Sequence, residues 1–117
     1  METQKYKYNA FVNRVIDGDT IEVTIDFGFN FKQEKVKFRL YGVDTPEVYG
    51  VKKDSEEYKA GMEASAYMRL IVGNDVVIET IKDKKGKYGR YLAIVWFDGL
   101  NMNEELVKRG LAKEYML

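Results

Sequence analysis

Thr20-Ile21-Glu22-Val23-Thr24-Ile25-Asp26-Phe27 alternates polar and apolar side chains without a break. Ile21, Val23 and Ile25 point one way, and Glu22, Thr24 and Asp26 the other. A period of two is the signature of a strand with one buried face. Gly28 and Asn30 then signal a turn. Lys35 to Tyr41 alternates again, with Val36, Phe38 and Leu40 opposed to Lys35, Lys37 and Arg39. Upstream, Tyr8 to Ile16 carries Phe11, Val12, Val15 and Ile16 and reads as a further strand. Such short connections make the three strands antiparallel. Phe27, Phe29 and Phe31 cluster at the second turn as an aromatic tip, consistent with either core or exposed loop.

Downstream, Pro46 cannot continue a ladder and breaks the pattern. The polar stretch Tyr49 to Glu57 reads as a loop. Ser55 is a suitable N-cap, with Glu56 and Glu57 in the first turn of a helix. Tyr58, Met62, Ala66 and Leu70 repeat at helical spacing, joined by Tyr67 and Ile71. Gly73-Asn74 stops that helix. Val76 to Ile81 and Tyr91 to Phe97 supply a fourth and a fifth strand, separated by the charged loop Asp83 to Arg90. After the Asp98-Gly99 turn, Asn103 is expected to cap a second helix, Glu104 to Arg109, closed by Gly110. The predicted fold is mostly β with α: a five-stranded OB-fold Greek-key barrel with two helices, in one domain spanning 1–117. A generic α+β sheet is the plainer alternative.

Composition restricts the chemistry. The chain has 117 residues, 45% hydrophobic and 32% charged, as expected of one globular domain. Its 19 basic and 19 acidic residues cancel, so affinity for a polyanion requires locally placed charge. It has no cysteine and no histidine. Disulfides, thiolate metal sites, a Ser-His-Asp triad and imidazole-bound zinc are therefore excluded. No stretch has the length and apolarity of a membrane span, and no secretory signal pattern opens the chain.

Three strings carry the candidate chemistry: Asp17-Gly18-Asp19-Thr20, Asp44-Thr45-Pro46-Glu47 and Lys87-Tyr88-Gly89-Arg90. Asp19 and Asp44 are candidate ligands for a hard cation. Without His or Cys, an oxygen-ligated ion such as Ca²⁺ is the default. Taken singly, each string also reads as an ordinary turn or strand cap. Arg39 and Arg90 are candidate phosphate clamps, since guanidinium stays charged and presents a bidentate fork. Glu47 is a candidate acceptor for the proton of an attacking water. Lys87, Tyr88 and Tyr115 offer charge, hydroxyl donation and stacking to a nucleotide. The basic run Lys82 to Lys87 adjoins Arg90 and suits phosphate steering.

Taken together, these strings resemble the staphylococcal nuclease (thermonuclease) family. The resemblance runs from Ala10 to Tyr115. Its carriers are Val15 to Thr20, Phe38-Arg39-Leu40, Val43 to Glu47, Gly61 with Glu63 to Ala66, Lys87 to Arg90, Asn103-Glu104 and Gly110-Leu111-Ala112. It implies an OB-fold barrel and a Ca²⁺-dependent endonuclease that cuts DNA and RNA with little sequence specificity and leaves 3′-phosphate ends. It implies Asp19 and Asp44 as calcium ligands, joined by the backbone carbonyl of Thr45. It implies Arg39 and Arg90 as stabilisers of phosphate charge, and Glu47 as the residue that activates water. Lys87 and Tyr88 match nucleotide-contacting positions, and Tyr115 matches more loosely because the chain around it differs. A monomer is expected, and members of the family are often secreted. Degenerate members are noncatalytic OB-fold modules that bind single-stranded nucleic acid or a protein ligand. They lose carboxylates or arginines that this chain keeps. Two departures stand out. The segment between Asp19 and Arg39 is longer than in the best-known member, so the hairpin is expected to project further. And the chain stops at Leu117, where that member continues into another helix.

Overall fold

The computed structural model describes residues 6–46, 51–81 and 91–115 in full, and the backbone of 82–85. Strand β1 (Lys7–Asp17) pairs antiparallel with β2 (Thr20–Asp26), which pairs antiparallel with β3 (Lys32–Leu40). A two-residue strand, β4 (Val43–Asp44), follows. Helix α1 (Glu56–Met68) and a 3₁₀ turn (Arg69–Ile71) lead to β5 (Asp75–Lys85). Then come β6 (Tyr91–Phe97), β7 (Leu100–Asn101), α2 (Met102–Lys108) and β8 (Lys113–Glu114). Sheet order is β3-β2-β1-β5-β6-β7. A parallel pairing of β3 with β6, from Phe38↔Tyr91 to Leu40↔Ala93, closes β1, β2, β3, β5 and β6 into a five-stranded barrel. With two helices attached, this is the OB-type barrel expected from the order of elements.

Closure requires β1 to serve two neighbours. Lys7 to Phe11 pair with β5, while Asn9 to Asp17 follow β2. The β1–β2 register slips between Val12 and Arg14 and again between Val15 and Asp17. Such bulges bend a strand and raise its twist, which lets it turn a barrel corner. The alternating residues read from the sequence fill the interior: Val12, Ile21, Val23, Phe38, Leu40, Ile78 and Val95 are buried. β3 begins at Lys32, earlier than the alternation predicts, because Lys32 to Lys35 are exposed and carry no face signal. β5 runs to Lys85, into the stretch expected to be loop. The Phe27–Phe31 tip is exposed loop, not core. Among the described residues, no helix is long and apolar enough to cross a membrane.

Both helices differ in detail from the sequence reading. Ser55 caps α1 as expected, its hydroxyl accepting the Tyr58 N–H at 3.1 Å. The buried face, however, is Gly61, Ala64, Ser65 and Met68, while Met62 and Leu70 are exposed. Small residues face inward because the helix seats close against the β1–β2 turn. A Cβ added at Gly18 would lie 2.9 Å from the Ala64 Cβ. Asn101, not Asn103, caps α2, its side chain accepting the Glu104 N–H at 3.1 Å. Asn103 is buried in the first turn of α2. Its Oδ1 accepts the Val95 N–H at 3.1 Å, and its Nδ2 donates to the Tyr41 and Ala93 carbonyls at 2.9 and 3.0 Å. That side chain ties α2 to β6 and to the corner between β3 and β4.

Candidate active site

The site is assembled where the β1–β2 turn meets the end of β3. The Asp17 Oδ1 accepts the Asp19 N–H at 3.1 Å, which folds Asp-Gly-Asp into a tight turn. The Asp19 carbonyl accepts the Leu40 N–H at 2.8 Å, fixing the turn to β3. Thr20 pairs with Arg39 across the ladder, so the arginine lies beside the turn by register alone. Asp19 is only 9% exposed. Its Oδ1 accepts from the Thr20 hydroxyl at 3.2 Å, and its Oδ2 accepts the Thr45 N–H at 3.4 Å.

Arg39 joins the two candidate ligands. Its Nη2 donates to Asp19 Oδ2 at 3.4 Å and to Asp44 Oδ1 at 3.2 Å. Its Nη1 donates to the Leu40 carbonyl at 3.5 Å. These bonds engage three of the five N–H groups of a guanidinium. Asp44 is held from the other side by the β4–β8 ladder, where it faces Lys113. The Tyr115 N–H extends that clamp by donating to the Gly42 carbonyl at 2.8 Å. The Tyr115 ring then lies under Arg39, with the guanidinium carbon 5.4 Å from the ring centre. This is a cation–π arrangement. The tyrosine read from the sequence as a nucleotide contact is thus also a support for the arginine.

Charge within the turn is shared. Burial pushes the Asp17 carboxyl up to about 7, reinforced by its hydrogen bond with Asp19 and by the like charge there. Burial acts on Asp19 in the same direction. It is outweighed by the hydrogen bond from Asp17, the Arg39 charge and the Thr45 N–H, so Asp19 is held below its ordinary value. Asp17 therefore keeps the proton and Asp19 the negative charge. Sequence reasoning did not single out Asp17 or Gly18. The Asp-Gly-Asp spacing was the available signal, because only a residue without a Cβ fits between Thr45 and Ala64.

The structure brings together Asp19, Arg39, Asp44, Thr45 and Tyr115. Glu47, Lys87, Tyr88 and Arg90 lie outside the described residues. Asp44, Thr45 and Pro46 also line an open cleft of about 580 Å³, bordered by Glu56, Glu57, Gly110 and Lys113. Among the described residues no group of three or more acidic, His or Cys side chains converges to hold a metal. The donors that the structure brings together are the Asp19 and Asp44 carboxylates. Their donor atoms are all oxygens, and both carboxylates reach toward one cationic nitrogen. Such a set fits a hard cation that completes its shell with water.

A closed five-stranded barrel of this strand order, with an arginine between two carboxylates at one end, defines an OB-fold protein. The family model described as "Staphylococcal nuclease homologue" matches residues 37–117, and the chain belongs to the staphylococcal nuclease family. It is 43% identical over 111 residues to a thermonuclease of Staphylococcus hyicus, covering 94% of this chain and 59% of that protein. It is 38% identical over 114 residues to Endonuclease YncB of Bacillus subtilis (strain 168), covering 96% of this chain and 50% of that one. It is 32% identical over 117 residues to Endonuclease YhcR of the same organism, covering 95% of this chain but 9% of that protein. The chain thus spans between half and two thirds of two of these relatives and a small part of the third.

Proposed function

We propose that this chain is a Ca²⁺-dependent endonuclease that hydrolyses phosphodiester bonds of DNA and RNA with little sequence specificity, leaving 3′-phosphate ends. The observation that carries the reading is the Arg39 guanidinium held between Asp19 and Asp44 beside the Thr45 amide. Relatives named thermonuclease and endonuclease support the same class. In this reading Asp19, Asp44 and the Thr45 carbonyl hold Ca²⁺. The ion, when bound, neutralises phosphate charge and makes a coordinated water more acidic. Arg39 keeps two N–H groups outside its bonds to described residues. They are available to phosphate oxygens on which charge develops. Tyr115 and Asp44 hold the guanidinium in place for that task. Arg90 supplies a second guanidinium. Glu47 accepts the proton of the attacking water. Lys87 and Tyr88 contact the nucleotide. The protein acts as a monomer.

Digestion of plasmid DNA and of RNA, with Ca²⁺ and with chelator, is the test. Cleavage of both substrates that stops on chelation is the expected result. Binding without cleavage at high protein and Ca²⁺ would make the chain a noncatalytic OB-fold module. Equal rates with Mg²⁺ would contradict the proposed site, because Mg²⁺ demands shorter, strictly octahedral coordination.

A further inference from the structure

The far end of the β2–β3 hairpin carries a feature that the candidate site does not use. Phe27, Phe29 and Phe31 are 49%, 95% and 69% exposed. The turn that presents them is closed by its own backbone. The Phe27 N–H donates to the Phe31 carbonyl at 2.8 Å, and the Phe31 N–H to the Gly28 carbonyl at 2.9 Å. The Gly28 N–H donates to Asp26 Oδ1 at 2.8 Å. Phe27 rests edge-on against Tyr8, with ring centres 5.7 Å apart. Phe29 and Phe31 make no ring contact among the described residues.

Phe29 also breaks a backbone rule. Its φ is +55°, between Gly28 at +84° and Asn30 at +66°. Glycine and asparagine tolerate that left-handed region, whereas a bulky side chain there crowds its own carbonyl. A phenylalanine at this position gives the fold neither packing nor an easy backbone. Residues that break a local rule without a structural return mark functional sites.

Position and charge narrow the occupant. β2 runs from Thr20, paired with Arg39 at the site, to Asp26, paired with Lys32 at the tip. At about 3.3 Å per residue the tip stands roughly 20 Å from the site, too far to stack on a nucleotide held by Arg39. Asp26 and Glu34 balance Lys32 and Lys35 around it, so the tip does not draw a polyanion. Its exposed aromatic surface is on the order of 400 Å². A specific dimer buries about 800 Å² per partner, so two tips do not make one. A convex apolar tip, with the Phe27, Gly28 and Phe31 N–H groups bonded inside the turn, suits a medium that surrounds it at the interfacial level, such as the headgroup–acyl boundary of a bilayer.

We propose that the hairpin tip docks on a lipid bilayer by inserting Phe29 and Phe31, with the candidate active site held at the opposite end of the hairpin. Balanced charge makes this docking depend on apolar insertion and not on anionic lipid. The test is co-sedimentation of the whole chain with phosphatidylcholine vesicles and with vesicles that also contain phosphatidylserine. Binding is expected to both, within about twofold of each other, and to resist salt. In Phe29→Asn/Phe31→Ser it is expected to fall about tenfold or more. Phe29→Asn alone should keep or raise the melting temperature, because asparagine suits the backbone, so lost binding would not reflect unfolding. DNA cleavage in solution should be unchanged in these variants. Absence of binding by the parent chain, or equal binding by the double variant, would overturn the proposal. So would self-association, or lipid-free DNA binding, that these substitutions abolish.

Discussion

Replacing Gly18 by alanine tests how tightly the candidate site is built against the helix. The backbone at Gly18 is not left-handed, so the effect is purely one of space. The new methyl group would lie 2.9 Å from the Ala64 Cβ, 2.9 Å from the Thr45 Oγ1 and 3.0 Å from the Thr45 Cβ. Two of these neighbours are Cβ atoms, which cannot move without their backbones. Ala64 belongs to α1 and is fully buried. Thr45 donates its N–H to Asp19 Oδ2, so moving it loosens the carboxylate as well. Overpacking of this kind costs about 1–3 kcal/mol. For a domain of this length that corresponds to a melting temperature lower by roughly 4–12 °C. Thermal unfolding in chelator measures the packing cost, and calorimetric titration with Ca²⁺ measures the cost to the ligand set. Both stability and Ca²⁺ affinity should fall. Adding Ala64→Gly removes one of the clashing atoms. The double variant should then be more stable than the sum of the two single effects, although Ala64→Gly alone costs about 1 kcal/mol in a helix. A melting temperature within about 1 °C of the parent for Gly18→Ala would refute the reasoning, because it would mean that the turn and helix part freely.

Further outcomes follow from the same geometry. Arg39→Ala should lower turnover by about 10²-fold, the scale of losing a preorganised charge stabiliser. Tyr115→Leu should lower it about two- to fivefold, the worth of an exposed cation–π contact. In the Arg39→Ala background Tyr115→Leu should have no further effect, and an additive loss would show that the ring serves the substrate directly. Asn103→Leu leaves the Val95 N–H and the Tyr41 carbonyl without the Asn103 side chain, while the Ala93 carbonyl keeps the Tyr41 N–H at 2.8 Å. The urea midpoint should then fall by the equivalent of about 3 kcal/mol, at 1–3 kcal/mol for each buried group left unpaired. Without metal, stability should decline as pH rises from about 4 to about 7, because the folded Asp17 keeps its proton up to about 7 while the unfolded chain releases it near 3.8. Asp19, held low, adds stability above its ordinary range that is lost as pH falls through its folded value. Asp17→Asn should flatten the decline between 4 and 7, and an unchanged urea-midpoint profile would place the retained proton elsewhere.

The barrel was legible where strand faces meet different surroundings. Ile21, Val23 and Ile25, or Val36, Phe38 and Leu40, alternate because one side of each strand is apolar core and the other carries polar side chains, from buried Thr20 and Glu22 on β2 to exposed Lys37 on β3. The reading failed where that contrast vanishes. Lys32 to Lys35 belong to a strand exposed on both sides, so nothing in their pattern marks it. α1 misled for the opposite reason. Met62 and, in the 3₁₀ turn that follows, Leu70 face outward, and the inward face of α1 is Gly61, Ala64, Ser65 and Met68, of which only Met68 is a large apolar residue. Close packing selects small residues there, and smallness is a weak signal in one sequence. The β3–β6 closure joins residues some fifty positions apart, and no local pattern encodes it.

In the site, the sequence supplied the donor types but not their balance. Asp19, Arg39 and Asp44 were recognisable as a carboxylate–guanidinium set, yet their convergence on one nitrogen depends on the Thr20–Arg39 register and on β8 pinning Asp44. Tyr115 was read for its ring and not for what the ring lies under, because its place follows from the same short ladder. Asp17 was passed over because its role is to hold a proton, which only burial beside Asp19 confers. Together these groups explain how carboxyls so close together coexist in a folded chain. Below about pH 7, Asp17 is neutral and Arg39 offsets one of the two remaining charges. Among the described residues, Asp17, Asp19, Asp44 and Arg39 together leave one net negative charge beside the open cleft that Asp44 and Thr45 line. Full neutralisation would leave little pull on a cation, and three bare carboxylates would repel one another. An arginine and a retained proton set the site between those limits.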